Sequence, residues 1–311
     1  MKIFITGGCG YKGSLLIKRL LKLNYKITNY DTRWFGNFLP KHKNLKNTKG
    51  DIRNLENISL KKFNAVIHLA SVSNDPCSDL NPKLSWEIGP LASMKLIEKA
   101  INDGVKKFIY ASSGSVYGIK KERNVTEELS LKPISDYNKT KMTTERVLLS
   151  YKDKIDLIII RPATVCGLSP RMRFDLSVNV LTINALQKKL ITVFGGNQVR
   201  PNIHIDDLID LYIFFLKNNK VGIYNAGFEN IKILDIAKLI QKKTKCKIKI
   251  LKSNDPRSYR LSSKKLLKIG YKPKKTVDNA INEIINSYNN GFIKNNLSNN
   301  NLKWMILKKF Q

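Results

Sequence analysis

Short apolar runs alternate with longer segments of helical periodicity through the first half of the chain. The apolar runs predict strands at 3–5, 25–30, a short stretch before Gly50, 65–70, 108–111 and 157–160. The periodic segments between them predict helices at 14–23, 91–102 and 137–151. Apolar strands that alternate with helices are typical of a parallel sheet with both faces covered. The pattern therefore predicts an α/β fold built on a doubly wound parallel sheet.

The alternation becomes less regular after Pro162, where helical patterns at 177–187 and 233–243 mix with short strands. This change predicts a sheet domain over 1–162 and a smaller mixed α/β region over 163–288, some of whose segments return to the sheet. The smaller region is expected to close over the carboxyl edge of the sheet, where such folds bind ligands.

The end of the chain, 289–311, is rich in Asn and is expected to form a flexible tail. The apolar residues 304–307 give the tail a way to dock back onto the body.

The composition is that of a globular protein with a strongly basic surface. The 311 residues carry a formal net charge of +32, and 42% of them are hydrophobic. The excess charge comes mainly from lysines spread along the chain, whereas arginine is the better ligand for phosphates and bases. The basic residues form no block beside aromatic residues. We therefore expect a solvated basic surface and no nucleic-acid site.

The cysteines and the apolar runs indicate neither a metal site nor a membrane anchor. Cys9, Cys77, Cys166 and Cys246 lie far apart and form no Cys/His ligand pattern, so neither a metal site nor a disulfide framework is expected. The first apolar run is too short for a signal peptide, and the uncharged apolar runs fall short of the ~20 residues that span a bilayer. These features favour a cytoplasmic protein without membrane insertion.

A glycine turn follows the first predicted strand and opens the first predicted helix. Gly7, Gly10 and Gly13 stand three residues apart. Glycines in this context allow a tight turn and a close backbone approach to a pyrophosphate, which the helix N-terminus then stabilises. The alternative is a glycine-rich turn without a ligand. The order of strand, turn and helix favours dinucleotide binding.

Two aspartates further along refine this prediction. Asp31 ends the second predicted strand, where a carboxylate can accept hydrogen bonds from an adenosine ribose and would repel a 2′-phosphate. NAD is therefore favoured over NADP, although the nearby Arg33 leaves NADP open. Asp51 and Ile52 follow a loop and are expected to flank the adenine, unless Asp51 is an ordinary turn residue.

Tyr137 and Lys141 are one turn apart on a predicted helix. A nearby ammonium stabilises a phenolate and lowers a tyrosine pKa that is about 10 when unperturbed, which suits a proton-transferring group. The spacing alone is weak, because two further pairs, Tyr117/Lys121 and Tyr271/Lys275, also match it. Ser113 strengthens the first pair: it follows the fifth predicted strand, where its hydroxyl can bind a substrate hydroxyl while Tyr137 moves the proton.

Several ordered motifs together resemble one family. They are TGGCGYKG at 6–13, GDIR at 50–53, HLA at 68–70, SSGSVYG at 112–118, Tyr137 with Lys141, Arg161 with Pro162, RPNIHIDD at 200–207 and YNAG at 224–227. The chain resembles the extended short-chain dehydrogenase/reductases, in the NAD-dependent nucleotide-sugar epimerase/dehydratase branch to which UDP-glucose 4-epimerase belongs. The resemblance covers residues 1–285 and implies a Rossmann-type sheet with NAD as the cofactor.

The resemblance also implies roles for individual residues. Tyr137 would be the acid/base, Ser113 its hydroxyl partner, and Lys141 the group that holds the nicotinamide ribose and lowers the pKa of Tyr137. The implied cofactor contacts are Gly7, Gly10, Tyr11, Lys12, Gly13, Asp31, Asp51, Ile52, Leu69, Ala70, Ser71 and Lys141. The implied substrate contacts are Ser73, Asn74, Ser115, Asn179, Arg200 and Arg257, with Arg200 on the diphosphate. For Arg257 a surface salt bridge, and for Asn179 a capping or packing role, are the alternatives.

The implied reaction is the transient oxidation of a nucleotide sugar, usually at C4, followed by return of the hydride to the other face. Family dehydratases carry an acidic pair directly after the serine, because elimination of water across C5 and C6 needs another acid and base. Gly114 and Ser115 stand there in this chain, which disfavours a 4,6-dehydratase. We therefore predict a 4-epimerase. The alternatives are a net 4-dehydrogenase or 4-reductase and a non-catalytic NAD-binding protein.

The chain departs from the family pattern at several positions. Gly89 and Thr164 stand where the family has Asn, and Lys12 stands where it has an apolar residue. The first two leave the substrate and the stereochemistry open. Arg171 and Arg173 belong to a loop specific to a subgroup, where they either bind phosphate or form part of a solvated loop.

The family also implies a homodimer formed through the predicted helices 91–102 and 137–151. A nucleotide sugar is the implied small-molecule partner. The implied setting is carbohydrate metabolism, such as cell-surface polysaccharide biosynthesis.

Overall fold

The computed structural model describes residues 1–253, 258–293 and 296–310. Its strands are β1 (Lys2–Thr6), β2 (Lys26–Asp31), β3 (Leu45–Lys49), β4 (Ala65–His68), β5 (Lys107–Ala111), β6 (Asp156–Pro162), β7 (Thr164–Cys166), β8 (Leu190–Phe194), β9 (Val199–His204), β10 (Gly222–Ala226), β11 (Glu229–Lys232) and β12 (Lys247–Leu251). Its α-helices are α1 (Tyr11–Lys22), α2 (Asp75–Leu80), α3 (Pro82–Trp86), α4 (Ala92–Asn102), α5 (Asp136–Leu149), α6 (Ser177–Lys188), α7 (Ile205–Lys217), α8 (Ile233–Thr244), α9 (Lys264–Lys268), α10 (Val277–Asn289) and α11 (Asn301–Leu307). A π-helix spans Glu87–Leu91, and 3₁₀ turns span Gly114–Tyr117 and Leu297–Asn299. Among the helices of these described ranges, none is long and apolar enough to cross a membrane.

Seven parallel strands form the main sheet, in the order β10-β6-β5-β4-β1-β2-β3. The strand order reverses between β1 and β4, which is where ligands bind in open sheets of this kind. One apolar core lies on the side of α1 and α7, and a second lies on the side of α4. The predicted doubly wound parallel sheet of Rossmann type is confirmed.

The unbroken apolar runs of the sequence follow from this layering. In β6, Ile158 and Ile160 belong to the first core, whereas Ile159 between them belongs to the second. All three side chains are fully buried. Because both faces of the strand are covered, no position on it favours a polar residue.

A smaller layer stands beyond the carboxyl edge of the sheet. It contains a three-stranded sheet, β11-β9-β7, and a parallel pair, β12-β8. A third apolar core joins them to α6, α8 and α10. Strand β10 returns to the main sheet beside β6.

The predicted helix at 91–102 begins one turn earlier, as the π-helix Glu87–Leu91. Pro90 lies inside that turn and has no N–H to donate, so a regular α-helical bond is lost there. The Ser93 hydroxyl donates to the carbonyl of Gly89 at 2.6 Å and satisfies it. Gly89 faces α5, since a Cβ added to it would stand 3.4 Å from the Cβ of Thr140.

The C-terminal segment, defined here as residues 296–310, packs on the body. The Trp304 ring lies 4.9 Å from that of Phe35, and the Phe310 ring lies 4.5 Å from that of Trp34. Met305 is buried, and the Phe174 N–H donates to the carbonyl of Asn299 at 2.7 Å. The prediction that residues 304–307 dock back holds for Trp304 and Met305, whereas Ile306 and Leu307 are exposed. The expectation of a flexible tail is wrong for this segment, because four aromatic rings cluster there.

Candidate active site

A cavity of about 420 Å³ opens at the carboxyl ends of β1, β4 and β5, between the main sheet and the smaller layer. Its walls include most of the residues predicted from the sequence, namely Gly7, Gly10, Tyr11, Lys12, Gly13, Asp31, Asp51, Ile52, Leu69, Ala70, Ser71, Ser73, Asn74, Ser113, Ser115, Tyr137 and Arg200. Lys141 and Asn179 do not line it. Arg257 lies outside the described residues. One cavity thus joins the glycine turn to the tyrosine and serine predicted to act in catalysis.

The glycine turn is shaped by close contacts that exclude a side chain. Gly7 has φ +72°, and a Cβ added to it would stand 2.6 Å from the backbone N of Ala70. A Cβ on Gly13 would stand 2.5 Å from the Cα of Gly8. Gly10 is the N-cap residue of α1 and offers no side chain to its first N–H groups. Those groups are therefore available to an anion at the helix N-terminus.

Asp31 is fixed at the end of β2 by backbone donors. Its carboxylate accepts hydrogen bonds from the N–H of Cys9 at 2.8 Å and from the N–H of Arg33 at 2.6 Å. Burial raises the pKa of Asp31, and these two bonds oppose the rise. Arg33 donates through Nη2 to the carbonyl of Asn47 at 2.8 Å. Asp31 thus lines the cavity with its carboxylate held by two backbone donors, and Nη2 of Arg33 is engaged with Asn47.

Tyr137 stands in the first turn of α5 and faces the cavity. Ser113 follows β5 in an extended conformation, and its Oγ lies 2.7 Å from the Oγ of Ser115. Lys141 lies behind Tyr137, where its Nζ donates to the carbonyl of Ala111 at 2.8 Å and lies 6.0 Å from the Tyr137 ring centroid. Tyr137 and Lys141 therefore lie on one helix, as predicted. Of the tyrosines in the two other matching pairs, Tyr117 ends a 3₁₀ turn and Tyr271 lies outside the helices.

The charge environment of Tyr137 differs from the prediction. Burial raises the pKa of Tyr137, and a hydrogen bond with Ser113 and the charge of Arg173 oppose the rise. The pKa of Lys141 is itself lowered well below 10.5, first by burial and then by the charge of Lys12. The expectation that Lys141 lowers the Tyr137 pKa is therefore not met, because burial dominates and the opposing charge comes from Arg173.

The loop 167–175 contributes a charged cluster that is enclosed rather than solvated. Arg173 binds Asp175 through two parallel bonds, Nε to Oδ1 at 2.9 Å and Nη2 to Oδ2 at 3.1 Å. Asn74 donates to the same carboxylate at 3.0 Å. Arg171 is only 1% exposed. Of the two sequence interpretations of these arginines, the solvated loop is wrong, and both line the cavity.

Asn179 has a structural role instead of the predicted substrate contact. Its Oδ1 accepts from the N–H of Gly167 at 3.1 Å. Its Nδ2 donates to the hydroxyl of Tyr11 at 3.2 Å and to the carbonyl of Arg173 at 3.0 Å. The side chain is fully buried and holds α6, the loop 167–175 and α1 together.

A buried ion pair supports the serine end of the site. Arg161 Nη2 lies 2.6 Å from Glu145 Oε2, and both side chains are at most 4% exposed. Ser112 donates to the Glu145 carboxylate, and Arg161 Nη1 donates to the Tyr117 hydroxyl at 2.7 Å. This network ties α5, the exit of β5 and β6 to one another.

A separate cluster of His204, Asp206 and Glu283 has metal-ligand composition but is already neutralised. Lys275 Nζ lies 2.8 Å from Asp206 and 2.5 Å from Glu283. His204 Nδ1 accepts from the N–H of Asp206 at 3.1 Å, which caps α7. The lysine supplies the cation that these carboxylates require.

Lys12 is expected to destabilise the cofactor-free protein at neutral pH. Its pKa is lowered from 10.5 to about 8, first by burial and then by the charge of Arg173. Between pH 8 and pH 10.5 the unfolded chain therefore binds more protons than the folded chain, so folding stability rises with pH through this window. Below pH 8 the full free-energy cost of burying the charged Lys12 is present. We predict that Lys12→Met raises the Tm at pH 7 and that its advantage over the wild type shrinks towards pH 10.5, as measured by thermal unfolding.

Lys18→Met, an exposed lysine on the same helix, is the matched control and should show no such pH dependence. Equal Tm values for the Lys12 variant and the wild type at pH 7 would contradict the prediction.

Residues 3–227 match the model of the NAD dependent epimerase/dehydratase family. The chain belongs to this family. A UDP-glucose 4-epimerase of Lactobacillus helveticus is 29% identical over 270 residues, which are 77% of this chain and 82% of that protein.

Solved structures of the same fold cover almost the whole chain. A UDP-glucose 4-epimerase of Thermotoga maritima, crystallised with UDP-glucose, has a TM-score of 0.86 at 24% identity over 94% of this chain and 100% of its own. A dTDP-glucose 4,6-dehydratase of Streptomyces venezuelae, crystallised with NAD, has a TM-score of 0.85 at 20% identity over 94% of this chain and 99% of its own. The likeness therefore establishes the fold and does not by itself choose between the two reactions.

NAD is the cofactor of the family, and the cavity fits it. The glycine turn leaves the first N–H groups of α1 free to meet a pyrophosphate, and the Asp31 carboxylate lines the same cavity, as expected for a residue that meets a ribose. Asp51 and Ile52 also line the cavity, as predicted for the adenine end. The predicted cofactor and the predicted family are confirmed. The roles of individual residues stay predictions.

Proposed function

We propose that the protein is an NAD-dependent 4-epimerase of a nucleotide sugar. The observation that carries the proposal is that Ser113 and Tyr137 share one cavity with the glycine turn. A hydroxyl-bearing carbon bound between them would face both a proton acceptor and the cofactor. This arrangement supports reversible oxidation of a secondary alcohol.

In the proposed reaction, Tyr137 takes the proton of the C4 hydroxyl and later returns it. Ser113 binds the same oxygen and keeps it beside the tyrosine. The bound cofactor supplies a reversible hydride acceptor for C4. The sugar passes through a 4-keto form and takes the hydride back on its other face.

The remaining wall of the cavity fits the other parts of the substrate. Arg200 on β9 is proposed to bind the diphosphate, since a guanidinium can bond two phosphate oxygens at once. Ser73, Asn74 and Ser115 are proposed to bind the sugar hydroxyls. Arg257 also stays a substrate candidate from the sequence.

Gly114 favours an epimerase over a 4,6-dehydratase. A Cβ added to Gly114 would stand 3.2 Å from the carbonyl oxygen of Pro162, so an acidic side chain could be accommodated there only if the backbone shifted. The next residue, Ser115, has no carboxylate. The acid and base that water elimination needs are therefore absent from the two positions where family dehydratases carry them.

The test is incubation of the purified protein with a panel of UDP-, GDP-, CDP- and dTDP-sugars. We expect one of them to give its C4 epimer, with deuterium at C4 retained in the product and without net formation of reduced nicotinamide. Stoichiometric reduction of NAD would instead identify a 4-dehydrogenase. Absence of any epimer and of any exchange at C4 over the whole panel would overturn the proposal.

A homodimer and a cytoplasmic location stay predictions. Leu91 of the π-helix and Met94 of α4 are 53% and 37% exposed, which is compatible with an interface through these helices. A monomer in light scattering would contradict the dimer.

A further inference from the structure

Arg171 is a buried arginine that the proposed epimerase reaction does not use. It is 1% exposed and lines the cavity on the side of the cofactor-binding turn. A buried guanidinium is costly unless its charge and its N–H groups are matched. Its surroundings therefore indicate which partner it is built to meet.

The backbone of Arg171 rests on the first turn of α1. Its N–H donates to the hydroxyl of Ser14 at 3.3 Å. Two residues earlier, Ser169 donates to the carbonyl of Tyr11 at 2.6 Å. The loop is thus fixed at the helix N-terminus that the glycine turn leaves open to an anion.

The C-terminal segment holds the guanidinium of Arg171 in place. Nη2 donates to the carbonyl of Ser298 at 2.7 Å and to Oδ1 of Asn301 at 2.6 Å. The guanidinium carbon lies 4.2 Å from the ring centroid of Phe35, which follows β2 on the adenosine side of the cavity. Asn301 also lines the cavity. One face of the arginine is stacked and one edge is anchored, so its direction is fixed before any ligand binds.

The charge of Arg171 is not matched by the protein around it. Asp175, the nearby carboxylate, is committed to two bonds from Arg173. In the described part of the chain, Nε of Arg171 is buried and has no hydrogen-bond partner. An anion bound in the cavity beside the guanidinium would supply the missing negative charge.

The pKa of Arg171 agrees with this imbalance. It is lowered from 12.5 to about 9, first by burial and then by the charge of Arg173, against weaker opposing effects of Asp175 and Asp31. Arginine remains protonated at neutral pH, so the shift expresses the cost of an unmatched buried cation.

We propose that Arg171 binds the pyrophosphate of the cofactor and that the C-terminal segment is the part of the protein that positions it. The glycine turn and α1 meet the pyrophosphate from the sheet side, and Arg171 meets it from the smaller layer. The substrate diphosphate is assigned to Arg200 instead, which stands on β9 at the other wall. This inference concerns cofactor binding and holds whichever reaction the site performs.

The test is calorimetric titration of the protein and of its Arg171→Met variant with NAD, ADP, adenosine and UDP. Removal of one charge-assisted contact predicts about 10- to 100-fold weaker binding of NAD and ADP. Adenosine carries no phosphate, so its affinity should change by less than about 2-fold, and so should that of UDP. Methionine keeps the apolar volume over Phe35, which limits the effect on packing.

Two further variants complete the design. Asn301→Ala removes the acceptor that anchors Nη2 of Arg171, so it should also weaken ADP binding, by a smaller factor. This variant tests the proposal even if the Arg171 variant fails to fold. Arg146→Met, an exposed arginine on α5, controls for loss of net charge and should leave ADP affinity unchanged.

Equal losses for adenosine and ADP would show that Arg171 only supports packing and would overturn the proposal. A loss confined to UDP would assign the arginine to the substrate. Unchanged ADP affinity in the Asn301 variant would refute the positioning role of the C-terminal segment.

Discussion

Replacing Tyr137 by phenylalanine is expected to reduce the rate of C4 epimerisation by about 10²- to 10⁴-fold, the usual contribution of a general acid/base. The phenol faces the cavity in the first turn of α5, and loss of its oxygen leaves the proton of the sugar hydroxyl without an acceptor. The ring remains, so the cavity keeps its shape. NAD affinity, measured by calorimetry, should stay within about 3-fold of the wild type.

Tyr151→Phe is the matched control, because this tyrosine lies on the surface and donates to Glu98 at 2.6 Å. It should retain full activity. A Tyr137→Phe enzyme with more than about a tenth of the wild-type rate would remove the tyrosine from the proposed mechanism.

The pH profile gives an independent check on the same group. Burial raises the pKa of Tyr137, whereas its hydrogen bond with Ser113 lowers it. Ser113→Ala should therefore raise the pKa further and move the alkaline rise of kcat/KM to higher pH, besides lowering the rate. An unshifted profile would show that Ser113 does not act on the tyrosine.

The cofactor half of the site could be predicted from sequence because its signals are local. Gly7, Gly10 and Gly13 join a strand to a helix within a few residues, and Asp31 ends the next strand. The backbone geometry that each glycine needs is a property of its own turn. The residues that determine the structure of such a motif all lie within it, so it can be predicted from the local sequence.

The C-terminal wall of the site could not be predicted in this way. Arg171 and Asn301 are 130 residues apart, and neither has a neighbour in the sequence that marks the contact. The ring contact between Phe35 and Trp304 is of the same kind. The composition predicted a polar, Asn-rich tail, whereas the aromatic side chains of Trp304 and Phe310 decide where the tail packs.

Electrostatics also depended on the fold. The spacing of Tyr137 and Lys141 correctly predicted neighbours on one helix. The Tyr137 pKa, however, is raised by burial, against the opposing charge of Arg173 on a distant loop. Asn179 shows the same limit. Its position on a helix was predicted, while its three hydrogen-bond partners come from α1 and the loop 167–175.

A large loss of stability is expected when the buried ion pair between Glu145 and Arg161, close to Ser113, is broken. Glu145→Ala should lower the free energy of unfolding by about 3–5 kcal/mol, because it leaves Arg161 buried without its counter-ion. The pair is at most 4% exposed, and Ser112 loses its acceptor as well. Denaturant unfolding followed by fluorescence measures the change.

The double variant Glu145→Leu/Arg161→Met is expected to be more stable than Glu145→Ala, since it removes both charges and fills the space with apolar groups. Lys139→Ala, which breaks a surface pair with Asp136 on the same helix, should cost less than about 1 kcal/mol. A Glu145→Ala cost as small as that of Lys139→Ala would contradict the argument.

Because Ser112 precedes Ser113, we also expect the Glu145 variant to lose epimerase activity at temperatures where it remains folded. The ion pair would then be what holds the catalytic serine at the end of β5.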